Sequence, residues 1–179
     1  MLNQQHLNNY FSTTWRNRDR GFGKYNKTGY ALINQVHLKE SVIDIGCGIN
    51  PFKGKISNLT GIDPAFPEAD FQLSLEDYVQ QHDTKFDVAF CLGSINFGTA
   101  EDIEYQIELV GKLLNGIGSR IYWRCNPGAQ DHGNEECKKI IFYPWTMEEH
   151  IRLAELFKFK LVECSWDSRN RIYAEWTRE

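Results

Sequence analysis

A glycine-containing turn and a following acid are the residues of this sequence best suited to bind a ligand. The turn, Asp44-Ile-Gly-Cys-Gly48, comes directly after a β-branched segment, and Asp63 ends the next such segment. Glycine lets the backbone pass close beneath a ligand, where a Cβ atom would collide with it. A carboxylate at the second place can accept hydrogen bonds from both hydroxyls of a ribose. The pair predicts a nucleoside-binding site, and the alternative is that Asp63 only starts a turn before Pro64.

Strand-like and helix-like segments alternate from residue 41 onward, as in an α/β sheet. Strands are predicted at residues 41–45, 59–63, 86–92, 119–124, 159–166 and 171–176, with a short third strand at residues 71–73. The last two strands are joined by a short polar turn, which is typical of an antiparallel hairpin. We therefore predict a mostly parallel, doubly wound, Rossmann-like sheet that ends in an antiparallel C-terminal hairpin.

Helices are predicted by apolar residues at helical spacing behind capping residues. Thr99 with Asp102 and Thr146 with Glu149 each precede such a pattern, and an earlier helix is expected over residues 27–36. Residues 46–60 leave room for a helix of two turns at most. Residues 64–70 are too few for a normal parallel crossover, so the third strand is expected to be displaced, reduced to an edge or absent.

Composition limits the class of protein. The 179 residues suit one domain, and 41% hydrophobic residues with a net charge of −4 exclude a disordered chain and a uniformly basic nucleic-acid coat. The apolar stretches are too short to cross a membrane, and the first residues do not resemble a signal peptide. The five cysteines form no C-x-x-C pair. We expect reduced thiols in a cytoplasmic protein, and the sequence leaves its oligomeric state open.

The N-terminal region differs in charge from the segment that follows it. Residues 1–40 hold six cations against two acids, whereas residues 61–104 hold ten acids against one lysine. Cations alternate with aromatic residues between Trp15 and Tyr25, which suits an anionic group or a nucleic acid. We expect residues 1–38 to form an arm, a helix and a candidate lid, ahead of a single domain at residues 39–179. The alternative is a solvated arm that packs one tryptophan on the core.

The turn, Asp63 and the strand order together resemble a known family. Asp44-Ile-Gly-Cys-Gly-Ile-Asn-Pro51 followed by Gly61-Ile-Asp63 is similar to the cofactor signature of the class I S-adenosylmethionine-dependent methyltransferases. Residues 86–93 resemble the fourth strand of that family, and residues 74–77 resemble its adenine border. Dinucleotide-binding proteins are disfavoured because the third glycine of G-x-G-x-x-G is absent. The resemblance implies a small methyltransferase that uses S-adenosylmethionine and releases S-adenosylhomocysteine.

The resemblance also assigns cofactor contacts. The turn would lie beneath the methionine and ribose, Asp63 would hold the ribose hydroxyls, and Asp44 would orient the loop or the ammonium group. Backbone carbonyls after the first and fourth strands would accept from the amino group, and Leu75 and Glu76 would border the adenine. The cofactor-binding residues predicted in this way are Lys24, Tyr25, Asp44, Gly46, Cys47, Gly48, Asp63, Pro64, Leu75, Glu76, Leu92 and Gly93.

The acceptor side is less defined by the sequence. A sulfonium methyl is already activated, so an enzyme needs chiefly to align a nucleophile with it, and a base only if that nucleophile starts protonated. The candidates are Ser94, Asn96, Asn126 and His132, and no spacing of Cys or His predicts a metal site. The methyl acceptor stays unidentified. Two alternatives remain open: a nucleic-acid-binding or partner module without turnover, and an enzyme that uses the same cofactor for another reaction.

Overall fold

A central sheet of six strands organises the protein in the computed structural model, which describes residues 3–15, 21–127, 135 and 137–179. The strands are β1 (Val42–Ile45), β2 (Leu59–Ile62), β3 (Val88–Leu92), β4 (Arg120–Cys125), β5 (Phe159–Asp167) and β6 (Arg171–Arg178). Their order is β2-β1-β3-β4-β6-β5, in which β2, β1, β3 and β4 run parallel and β6 is antiparallel to both of its neighbours. The predicted parallel sheet with a C-terminal hairpin is confirmed.

Four α-helices accompany the sheet in the described residues: α1 (Gln4–Tyr10), α2 (Leu75–Gln81), α3 (Ala100–Lys112) and α4 (Met147–Leu156). The hydroxyl of Thr99 accepts from the amide of Asp102, and the amide of Thr99 donates to the Asp102 carboxylate in return. Thr146 likewise accepts from the amide of Glu149. Both capping patterns seen in the sequence are therefore confirmed. None of the described helices is long and apolar enough to span a bilayer.

One predicted helix changes type in the structure, and the two short segments on either side of β2 agree with the expectations from the sequence. The helix expected over residues 27–36 is a 3-10 helix, Gly29–Gln35. Residues 46–58, all of them described, form turns and one isolated bridge between Lys53 and Ile56, with no helix. The third strand is reduced to one bridge between Phe71 and Ile62, because the short link after β2 cannot complete a parallel crossover. The division of the chain at residue 38 stays a prediction.

The two faces of the sheet bury different cores. On one face, α3 and α4 pack Ile103, Ile107 and Leu153 against strand residues such as Trp123 and Trp176. On the other face, the 3-10 helix and the turns after β1 place Leu32 and Phe52 against a second set of strand residues. A third cluster joins α1 to the loops beyond the sheet through Leu7, Tyr10, Phe97, Cys137 and Ile140. These packings hold the carboxyl ends of β1, β2, β3 and β4 at one edge of the molecule.

His150 lies buried among three tryptophans of the first core. Its ring stacks on Trp145 with centroids 4.5 Å apart, and Trp123 and Trp176 meet it edge-on. Neither ring nitrogen has a hydrogen-bond partner. Burial lowers the pKa of His150 to about 3, and the nearby Glu149 only partly opposes this effect. The folded protein therefore holds this imidazole neutral.

His150→Leu is expected to reduce the loss of unfolding free energy that the protein shows as the pH falls below neutrality. Below pH 6.5 the unfolded chain binds a proton that the folded protein excludes, so the free energy of unfolding falls as the pH drops. Between pH 7 and pH 5 the wild type should lose about 2 kcal/mol more than the variant. Urea unfolding followed by tryptophan fluorescence measures both losses. Equal losses in the two proteins would show that His150 titrates normally.

Candidate functional site

The turn after β1 is shaped by two glycines with left-handed backbone conformations. Gly46 has φ +68° and Gly48 has φ +58°. The amides of Gly46 and Cys47 both donate to the carbonyl of Ile62, at 2.8 and 3.1 Å, which fastens the turn to the end of β2. A Cβ at Gly46 would lie 2.4 Å from the Cβ of Ser94, whereas one at Gly48 would meet no protein atom within 4 Å. Gly46 is thus required for packing, and Gly48 faces open space.

Asp63 connects this turn to the segment that follows β2. Its Oδ2 accepts from the amide of Gly48 at 2.9 Å, and its Oδ1 accepts from the amide of Ala65 at 2.8 Å. The side chain is buried but lines the edge of the cleft. Each carboxylate oxygen has two lone pairs and can therefore accept more than one hydrogen bond. Asp63 faces the glycine turn, as the sequence predicted.

Asp44, on β1, is a second and more deeply buried carboxylate. Only 3% of its surface is exposed, and its side chain has no hydrogen-bond or ion-pair partner among the residues that the structure describes. Burial, with a smaller contribution from the negative charge of Asp63, raises the pKa of Asp44 to about 8. Such an acid is a site for a cationic group, because an ammonium would offset the desolvation of the carboxylate.

Two adjoining cavities open at the carboxyl ends of the strands. The larger, of about 220 Å³, lies between Asp63, the ends of β1 and β3, and helix α1. The smaller, of about 110 Å³, lies between the glycine turn, Asp44 and the N-terminal residues Phe22 and Tyr25. Gly48 and Arg124 line both cavities. The clefts are therefore continuous along the turn.

The end of β3 forms the opposite wall. Gly93 has φ +104°, and a Cβ there would meet no protein atom within 4 Å. Leu92 lines both cavities, and Gly93 and Ser94 line the larger one. The hydroxyl of Ser94 is buried and has no hydrogen-bond partner. Bare backbone thus borders the cleft on both sides, which suits a ligand that lies flat across the ends of the strands.

Solved structures match this chain over almost its whole length. One is a 1,6-didemethyltoxoflavin-N1-methyltransferase of Burkholderia thailandensis with bound 1,6-didemethyltoxoflavin and S-adenosylhomocysteine, which has a TM-score of 0.73 and 14% identity and covers 98% of this chain and 88% of that one. The chain has the class I methyltransferase fold.

A second match is the magnesium protoporphyrin IX methyltransferase of Synechocystis PCC 6803 with bound S-adenosylhomocysteine, which has a TM-score of 0.67 and 14% identity and covers 99% of this chain and 100% of that one. No family model matches the chain, and no curated protein matches it by sequence. The likeness to solved structures therefore shows the fold.

Within this methyltransferase fold, most of the predicted cofactor residues lie around the two cavities. Besides the residues already placed, Pro64 and Leu75 line the larger cavity and Cys47 lines the smaller. Glu76 lines neither of them. Its carboxylate accepts from the hydroxyl of Tyr105 at 2.9 Å. Lys24 also lines neither cavity, whereas its neighbour Tyr25 lines the smaller one.

The predicted acceptor residues have different environments. Asn126 lines the larger cavity, but Asn96 is fully buried beneath it and accepts from the amide of Asn126 at 2.8 Å through Oδ1. Asn96 thus supports the loop after β4. His132 lies outside the described residues. Among the residues that are described, no cluster of His, Cys, Asp and Glu could hold a metal ion.

Arg124 is a site residue that the sequence analysis missed. It lies near the carboxyl end of β4. Its Nε is 3.5 Å from Oδ2 of Asp167, and its guanidinium is 4.3 Å from the ring centroid of Tyr25. Burial lowers the pKa of Arg124, while Tyr25 and Asp167 act in the opposite direction. The pairing of Leu92 with Arg124 brings this cation beside the cleft. Sequence spacing alone does not reveal it, because the register of β3 and β4 is a tertiary property.

Asp44→Asn is expected to stabilise the ligand-free protein. Between pH 4 and pH 8 the unfolded chain releases a proton that the buried carboxyl of Asp44 retains, so the stability of the wild type falls as the pH rises through this range. An amide has no such penalty. The variant should be more stable than the wild type by a few kcal/mol at pH 8, with the gap closing towards pH 4. Chemical unfolding at the two pH values tests this, and a gap independent of pH would contradict it.

Proposed function

We propose that this protein is an S-adenosylmethionine-dependent methyltransferase that acts on a small molecule. The observation that carries the proposal is the Asp63 carboxylate beside the Gly46–Gly48 turn, with open space above Gly48. The carboxylate oxygens of Asp63 would accept from the two ribose hydroxyls, and the backbone without Cβ atoms would leave room for the sugar. Pro64, Phe66 and Leu75 offer apolar walls for the adenine on the same side.

The smaller cavity has the charges that the amino-acid end of this cofactor requires. Asp44 supplies an unpaired buried carboxylate, and Arg124 supplies a guanidinium whose Asp167 partner also accepts from the amides of Asn26 and Lys27. A free α-amino group and carboxylate would be bound by this pair of opposite charges. Arg124 would bind the carboxylate, and the ring of Tyr25 lies against its guanidinium.

The cofactor would supply a methyl group on a sulfonium, which leaves a neutral thioether when the acceptor displaces it. The residues of the chain would position the two reactants. Gly93 and Ser94 form one wall of the larger cavity, and α1 closes its outer side through Leu7 and Tyr10. Holding two reactants in line can lower a barrier by roughly 7–11 kcal/mol. Proximity and exclusion of water are therefore the main contributions expected of this site.

A small-molecule acceptor is favoured by the shape of the site. The larger cavity lies under α1, whose Leu7 and Tyr10 pack on Phe97 and Cys137. Tyr10 accepts a hydrogen bond from the Cys137 thiol at 3.0 Å, which fixes the helix over the cleft. A duplex could not enter a cleft covered in this way.

Gly48→Ala is expected to weaken binding of S-adenosylhomocysteine by at least about tenfold, because its Cβ would occupy the space proposed for the ribose. Gly54→Ala is the matched control. Gly54 has φ +76° and also meets no protein atom within 4 Å of a built Cβ, but it lines neither cavity. Isothermal titration calorimetry measures the affinity, and thermal unfolding measures the backbone strain that both variants share.

Wild type that fails to bind S-adenosylhomocysteine would overturn the proposed function. Equal losses of affinity in Gly48→Ala and Gly54→Ala would also contradict it, since backbone strain alone would then account for the effect. Binding by the wild type and by Gly54→Ala, with loss only in Gly48→Ala, is the expected result.

Arg124→Gln should distinguish the amino-acid end of the cofactor from its nucleoside end. 5′-Methylthioadenosine has the same nucleoside as S-adenosylhomocysteine but lacks the amino and carboxylate groups. Loss of a charge-assisted hydrogen bond should weaken the binding of S-adenosylhomocysteine by about 1.5–3 kcal/mol and leave the affinity for 5′-methylthioadenosine unchanged. Calorimetry with both ligands provides the comparison. Equal weakening of the two would contradict the role of Arg124.

A further inference from the structure

A wall of aromatic rings crosses the outer side of the larger cavity. Tyr10 meets Phe11 at a centroid distance of 5.1 Å, Phe11 meets Phe97 at 5.4 Å, and Phe97 meets Phe142 at 5.3 Å, each in an edge-to-face arrangement. Trp15 joins Phe11 in the same geometry at 5.9 Å. All five rings line the cavity. This side of the cavity offers apolar, aromatic surface well beyond the residues assigned to the cofactor.

The wall ends near a cluster of three guanidiniums, those of Arg124, Arg169 and Arg171. Arg124 and Arg169 both lie over the ring of Tyr25, at 4.3 and 5.6 Å from its centroid. Arg171 lines the larger cavity and donates to the carbonyls of Arg169 and Asn170. Burial, together with repulsion from Arg124, lowers the pKa of Arg171.

These positive charges are not balanced within the described part of the chain. Asp167 is the acid that pairs with the cluster, through Arg124, and it also accepts from Thr28 and from the amides of Asn26 and Lys27. Arg169 and Arg171 have no carboxylate partner among the described residues. A half-buried guanidinium without a carboxylate partner is costly unless another anion neutralises its charge, and its planar donors suit carboxylate and phosphate.

The cofactor alone does not account for Arg171. The carboxylate of the cofactor is proposed to bind Arg124, which lines the smaller cavity beside Asp44. Arg171 lines only the larger cavity, together with the aromatic wall and Asn126. Arg171, which has no carboxylate partner among the described residues, therefore borders the space left for the acceptor.

We propose that the methyl acceptor is a planar aromatic molecule with a carboxylate or phosphate group, whose ring lies against the aromatic wall and whose anion binds Arg171. This inference rests on the proposed function, since it assigns the acceptor part of the same cleft. Uncharged aromatic molecules would leave the charge of the guanidinium unbalanced, and aliphatic anions would gain little from the rings.

The test uses the full chain saturated with S-adenosylhomocysteine and four probes: 2-naphthoate, 2-naphthyl phosphate, 2-naphthamide and octanoate. At least one naphthalene anion should bind about tenfold more tightly than the amide, and octanoate should bind more weakly than naphthoate. The ratio of the two naphthalene anions shows which anionic group the site prefers. Calorimetry or the fluorescence of the tryptophans measures each affinity.

Arg171→Gln should remove the preference for the anion without changing the affinity for S-adenosylhomocysteine. Lys160→Gln is the charge-matched control, because Lys160 pairs with Glu179 at the far end of the same hairpin. Equal binding of the amide and both anions would overturn the proposal, as would an anion preference that survives in Arg171→Gln or a failure of every naphthalene probe to bind. Octanoate that binds as tightly as naphthoate would overturn the aromatic part.

The outcome separates this inference from the proposed function. Failure of S-adenosylhomocysteine to bind the wild type contradicts the proposed function itself. Normal binding of S-adenosylhomocysteine without a preference for naphthalene anions contradicts only the assignment of the acceptor.

Discussion

The two hydrogen bonds accepted by Asp63 are the constraint on which the cleft depends. They connect the end of β2 to the amide of Gly48 and to the segment that starts at Pro64. The amides of Gly46 and Cys47 donate to the carbonyl of Ile62 and complete the connection between the ends of β1 and β2. Because the turn is fixed from both sides, the backbone of its glycines stays clear of the space above Gly48.

Unbalanced charge is the second property of the site. Asp44 is buried without a partner in one cavity, and Arg171 is half-buried without a carboxylate partner, among the described residues, in the other. Each arrangement lowers the stability of the free protein, and each would be relieved by a ligand of opposite charge. The proposed site thus resembles many binding sites, whose charged residues make the folded protein less stable than apolar residues at the same positions would.

The sequence predicted the fold through features that act locally. The segments of β1 and β3 are apolar and bounded by glycine, and the caps at Thr99 and Thr146 depend on residues three positions away. The Gly46–Gly48 turn and Asp63 were identified for the same reason. Arg124 and Arg171 could not be, since they reach the cleft through strand pairing. The interaction of Glu76 with Tyr105 likewise depends on how α2 packs beside α3.

A crystal structure of the protein with S-adenosylhomocysteine would show whether Asp63 holds the ribose. We expect both ribose hydroxyls about 3 Å from the carboxylate oxygens of Asp63, with the amino group towards Asp44 and the carboxylate towards Arg124. A ligand bound elsewhere on the protein would contradict this expectation. So would a ribose that is held by another side chain and makes no contact with Asp63.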